Sequence, residues 1–90
     1  MATGADYLRN PAPRYPEEAR ANRWEGVVML LVGVSAQGRV DSISVESSSG
    51  HAVLDAAALK AVREYRFRPA EVMGVPVPCT LKVPIRFKLR

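Results

Sequence analysis

The stretch Val27-Val28-Met29-Leu30-Leu31-Val32-Gly33-Val34, opened by Gly26, decides the fold. It is β-rich and apolar on both alternating faces, which predicts a central strand. It is the longest apolar run in the chain and falls far short of the about 20 residues that a membrane span requires. The next four residues, Ser35-Ala36-Gln37-Gly38, read as a turn, with Gly38 free to take positive φ. A second strand follows from Val40 to Ser48. Ile43 and Val45 share one face, and Val40 breaks that alternation, which predicts a bulge or twist near Asp41. Two strands joined so closely make an antiparallel hairpin.

On the N-terminal side, Pro16-Glu17-Glu18-Ala19-Arg20-Ala21 reads as a short helix. Proline suits the first helical position and the two glutamates suit the positive end of the dipole. Tyr15 is held extended by the proline after it. Residues 1–13 are loosely patterned, carry Pro11 and Pro13, and read as an extended arm or linker remnant, leaving 14–90 as the folded domain. On the C-terminal side, Ser47-Ser48-Ser49-Gly50 is a loop leading to a helix over 52–65. Leu54, Ala58, Ala61, Val62 and Tyr65 form one apolar stripe, with Lys60, Arg63 and Glu64 towards the other side. Alanines at 56, 57, 58 and 61 permit close approach to a sheet, and Pro69 prevents continuation. Residues 66–78 read as irregular, with a tight turn at Met73-Gly74.

The last segment alternates cleanly. Leu81, Val83, Ile85, Phe87 and Leu89 point one way, and Lys82, Pro84, Arg86, Lys88 and Arg90 the other. Proline cannot donate to a ladder, so Pro84 places this strand at an edge with its nitrogen outward. Basic side chains and proline are also what an exposed edge uses against aggregation. The reading is a two-layer α+β domain: a three-stranded antiparallel sheet, the first strand central, with two helices packed on one face.

Ninety residues, 48% of them hydrophobic, make one small domain able to bury a modest core. Thirteen Lys and Arg against nine Asp and Glu give a net charge of +4, spread along the chain. The single cysteine, Cys79, excludes an internal disulfide and a cysteine-based zinc site. The single histidine, His51, stands in the loop before the second helix, and no nucleophile–base pair surrounds it. Asp55 and Glu64 do not face one another round a helix. Phosphate-binding loops of the GxxxxGK[ST] and GxGxxG types are absent. Ser47-Ser48-Ser49-Gly50 before a helix offers an anion site, but loop and capping hydroxyls explain it more simply. Nothing in the chain points to an enzyme, a cofactor or a metal.

One ordered combination is specific. It runs Tyr15-Pro16, Ala19, Gly26-Val27-Val28, Val34, Gly38-Arg39-Val40, Ser48-Ser49-Gly50, Leu54-Asp55, Ala57-Ala58, Ala61-Val62 and Phe67-Arg68-Pro69-Ala70. Gly74-Val75-Pro76-Val77 and Val83-Pro84-Ile85-Arg86-Phe87-Lys88-Leu89 complete it. Over roughly residues 12–90 this resembles the C-terminal domain of the TonB family of energy transducers, whose folded domain is the same two helices on three strands.

The resemblance implies a periplasmic domain of a protein anchored in the inner membrane by an N-terminal helix, with a proline-rich linker. On that resemblance the chain is expected to be an excised segment without the anchor and linker, and Met1-Ala-Thr-Gly reads as its start. Its implied partners are TonB-dependent outer-membrane receptors for siderophores, haem or cobalamin, and an ExbB–ExbD motor that supplies work from the proton gradient. The receptor's TonB box is implied to add as a strand beside the final strand, by β-augmentation. That assigns peptide binding to Cys79, Leu81, Lys82, Val83, Pro84, Ile85, Arg86, Phe87 and Lys88. Pro13, Arg14, Tyr15 and Pro16 resemble the segment that touches the receptor plug. Some members carry glutamine where this chain has Ala12, and Arg14 offers a charged contact instead. The alternatives are a dedicated HasB-like paralogue for one haem receptor and a small basic nucleic-acid-binding domain. The aliphatic outward residues Val27, Met29 and Leu31 disfavour the latter, which needs exposed aromatics. An exposed edge allows either a monomer or an edge-paired homodimer.

Overall fold

The computed structural model describes residues 10–90. Its elements are α1 (Glu17–Ala21), β1 (Gly26–Val34), β2 (Val40–Ser47), α2 (Ala52–Val62), β3 (Ala70–Val72), β4 (Val75–Val77) and β5 (Cys79–Phe87). The main sheet has the order β2-β1-β5, antiparallel throughout, so the most apolar strand is central. Val28, Leu30, Val32 and Val34 of β1 are buried on the helix side. They meet Leu54, Ala58 and Val62 of α2 and Val83, Ile85 and Phe87 of β5 in one core. The opposite sheet face carries Val27 and Leu31, both exposed.

The bulge expected near Asp41 is present: Gly33 pairs with Ser42 and Val34 with Val40, leaving Asp41 unpaired. A second bulge falls at Glu46, between the pairs Met29–Ser47 and Leu30–Val45. The turn between β1 and β2 closes with Gly38 at φ 84°. Its carbonyl accepts from the Phe67 N–H at 2.8 Å, and Arg39 bridges to Arg66. The hairpin tip is thereby tied to the chain leaving α2.

Three boundaries differ from the expectation. Pro16 caps α1 in an extended conformation (ψ 141°) instead of entering it. Helix α2 ends at Val62, and Tyr65 stays buried beyond it through its own turn. Within 66–78, read as irregular, β3 and β4 form a two-stranded ribbon. Its turn residues Met73 (φ 53°) and Gly74 (φ 80°) both take left-handed conformations, as a type I′ hairpin requires.

Residues 1–9 of the stretch read as an arm lie outside the described residues. Asn10 is buried, and its side-chain amide exchanges two 2.7 Å hydrogen bonds with the backbone of Arg66. The Tyr65 hydroxyl donates to the Pro11 carbonyl at 2.8 Å.

Candidate functional site

Strand β5 has one partner, β1, and among the described residues nothing pairs with its other edge. The register runs without a break from Gly26–Phe87 to Val34–Cys79, with Pro84 opposite Met29. A hydrogen-bonded antiparallel pair exchanges two N–H···O bonds, which proline cannot do. Pro84 therefore stands in a non-hydrogen-bonded pair and turns its backbone to the open edge, as do Thr80, Lys82 and Arg86. Cys79, Leu81, Val83, Ile85 and Phe87 turn theirs to β1. The Leu89 N–H keeps that inward phase, donating to the Glu25 carboxylate at 2.7 Å.

The residues assigned to peptide binding thus split into two sets. Val83, Ile85 and Phe87 are core, and the half-buried Cys79 and Leu81 pack against it. Lys82, Pro84 and Arg86 are exposed and hold the free donors and acceptors, with no donor at Pro84. Lys88 lies just past the strand end. Lys82 pairs across the open sheet face with Glu46 of the β2 bulge at 3.4 Å.

Pro13, Arg14, Tyr15 and Pro16 run extended into α1. The Tyr15 ring meets Phe87 edge-on, centroids 5.4 Å apart, and its hydroxyl donates to the Trp24 carbonyl. Desolvation, and secondarily the Glu25 charge, raises the Tyr15 hydroxyl above its ordinary value, so it stays a donor at neutral pH. This contact brings the tyrosine segment to the end of β5, so the two stretches singled out in the sequence adjoin.

The serine loop is occupied internally. The hydroxyls of Ser48 and Ser49 and the Ser49 amide all donate to the Asp55 carboxylate, the last two at 2.8 and 3.0 Å. Burial acts to raise the Asp55 pKa, but these bonds and the nearby His51 outweigh it and the value is lowered. The donors an anion would need are spent on Asp55. His51 caps α2 and stacks on Trp24 at 4.7 Å.

The model of the Gram-negative bacterial TonB protein C-terminal matches residues 11–89. The chain belongs to the TonB C-terminal domain family. It is 46% identical over 88 residues to protein tonB2 of Pseudomonas aeruginosa, covering 98% of this chain and 33% of the relative. Against protein TonB of Vibrio cholerae it is 44% identical over 77 residues, covering 86% and 32%. The chain therefore spans about a third of the length of these TonB proteins. The solution NMR structure of the Pseudomonas aeruginosa TonB C-terminal domain superposes with a TM-score of 0.77 at 30% identity, over 98% of this chain and 89% of that one. A Helicobacter pylori TonB C-terminal domain gives 0.66 at 29%, over 84% and 79%.

Sequence reasoning assigned Lys88 to the edge but did not join it to the other basic residues around the TonB-family tyrosine. Arg20, Arg23, Lys88 and Arg90 line one cleft with Tyr15 and Leu89. They come from separate parts of the chain, and the Tyr15–Phe87 contact, the Leu89–Glu25 hydrogen bond and the Gly26–Phe87 pairing bring them together.

Proposed function

We propose that this domain binds a short extended segment of a TonB-dependent outer-membrane receptor, the TonB box, by strand addition at the open edge of β5. The observation that carries the reading is the unpaired edge itself, with outward groups at Thr80, Lys82, Pro84 and Arg86 and the tyrosine segment at its end. Main-chain bonds supply affinity and alternate side chains supply specificity in such complexes. Pro13, Arg14 and Pro16 then face the receptor plug. Membership of the TonB family supports the rest: a periplasmic domain, work delivered through an inner-membrane ExbB–ExbD motor, and import of siderophores, haem or cobalamin. Among the described residues no helix is long and apolar enough to cross a membrane.

The edge suits pulling. Ladder bonds lie perpendicular to the strands, so force along the added strand loads them together in shear. A modest equilibrium affinity then still transmits force.

The test is an NMR titration with receptor-box peptides at two salt concentrations. Amide shifts concentrated on residues 79–88, followed by Tyr15 and its neighbours, are expected, weakening in high salt. Comparing boxes from several receptors separates a general transducer from a dedicated HasB-like paralogue. No shift with any box, and shifts instead with an oligonucleotide, would refute the reading.

A further inference from the structure

We propose that the basic cleft beside the end of β5 is an acid-selecting subsite that fixes the direction of the added strand. It would hold a carboxylate side chain of the partner segment just beyond the residues paired with β5. The inference rests on the reading of β5 as the peptide-binding edge.

The cleft, about 560 Å³, is lined by Tyr15, Arg20, Arg23, Lys88, Leu89 and Arg90. Four cationic side chains line it and no side-chain carboxylate does. Among the described residues the ion pair is Lys82–Glu46, and none of the four cations has one. Glu25 stands nearby, held by the Leu89 N–H at 2.7 Å, and its single charge offsets the four cations only in part. The like charges left in excess repel one another, and an incoming anion reduces that repulsion.

Backbone conformation gives a second, independent sign. Helix α1 ends with Trp24 N–H donating to the Ala19 carbonyl at 2.8 Å and Arg23 N–H to the Arg20 carbonyl at 3.1 Å. This is a Schellman closure, whose left-handed residue is ordinarily glycine. Here it is Arg23, at φ 56°. The chain holds a strained side chain where glycine would relax the helix end, and that side chain lines the cleft. Of the two non-glycine residues held left-handed among the described residues, Arg23 and Met73, it is Arg23 that lines this cleft.

Placement identifies the occupant. Lys88 continues the outward phase of Pro84 and Arg86, so a strand leaving its contact with Arg86 passes over the cleft. A residue on that same strand is the nearest source of an anion, which favours a peptide carboxylate over a free phosphate.

The experiment uses peptides of about eight residues, suited to the nine-residue β5. They alternate Val and Thr and carry Asp-Asp at one end, Asp-Asp at the other, or Asn-Asn at both. They are titrated into the protein, its K88Q and R23G variants, and R63Q, at the residue after α2 and outside the cleft, as a control. One acid-ended peptide is expected to bind about fivefold more tightly than the Asn peptide. K88Q and R23G each reduce that advantage about two- to threefold, R63Q leaves it intact, and inorganic phosphate competes with the favoured peptide. R23G melts at a higher temperature than the parent while binding more weakly, which a merely structural arginine would not do. Edge shifts that are equal for all three peptides, or an advantage unchanged in both variants, would overturn the subsite and leave the edge reading standing. Absence of shifts with every peptide would overturn both.

Discussion

Replacing Asp55 by alanine tests how the loop before α2 is held. The carboxylate accepts from the Ser48 hydroxyl, the Ser49 amide and the Ser49 hydroxyl, and it sits in the first turn of α2. Losing such cap-like bonds costs about 1 kcal/mol at a partly exposed helix start. The favourable dipole interaction adds roughly 0.5–1 kcal/mol. Alanine returns about 0.5 kcal/mol through its helix propensity. The net expectation is a loss of about 1–1.5 kcal/mol, or roughly 4–12 °C in Tm for a domain of this size. The pH dependence fixes the cause. Asp55 has a lowered folded-state pKa. Its contribution is therefore complete above the ordinary carboxylate value of about 3.9 and drains away as pH falls through the folded-state value. Thermal melts followed by circular dichroism at pH 7 and near pH 2 read this directly. The gap between parent and variant should shrink at the lower pH. An equal gap at both would show that packing, not the ionised hydrogen-bonded carboxylate, holds the loop.

Gly38→Ala should destabilise by about 3 kcal/mol or more, because its φ of 84° disfavours a side chain and an added Cβ would lie 2.2 Å from the Phe67 carbonyl oxygen; denaturant melts check it. Met73→Asn should stabilise by roughly 0.5–1 kcal/mol in the same assay. Met73 is 98% exposed at φ 53°, so nothing packed is lost and a strained turn position gains a residue that accepts it. Asn10→Ala should cost about 2–3 kcal/mol, since it leaves both backbone groups of Arg66 unpaired, and should speed exchange of the Arg66 amide.

The central strand was legible because Val27–Val34 is the longest apolar run in the chain, and it takes the middle of the sheet even though Val27 and Leu31 stay exposed on the face away from the helices. The Asp41 bulge showed because Val40 is apolar and out of phase with Ile43 and Val45. The bulge at Glu46 left no such mark: Glu46, Ser47 and Ser48 are polar in either phase. The β3–β4 ribbon was hidden by its shortness and by Pro76 and Pro78, which dilute any alternation. Tyr65 continued the helical stripe and extended the predicted helix too far, because burial through a turn leaves the same apolar signature. The edge character of the final strand was written in Pro84. The cleft was not legible, since arginines and a lysine far apart in sequence carry no pattern until the chain folds them around Tyr15.

Amide hydrogen exchange along β5, with and without a receptor-box peptide, tests strand addition most directly. In the free protein the amides of Leu81, Val83 and Ile85, which face β1, should exchange slowly, and those of Lys82 and Arg86 fast. Strand addition predicts that the peptide slows Lys82 and Arg86 selectively and leaves the inward set as it was. Binding that leaves Lys82 and Arg86 exchanging at their free rates would contradict it.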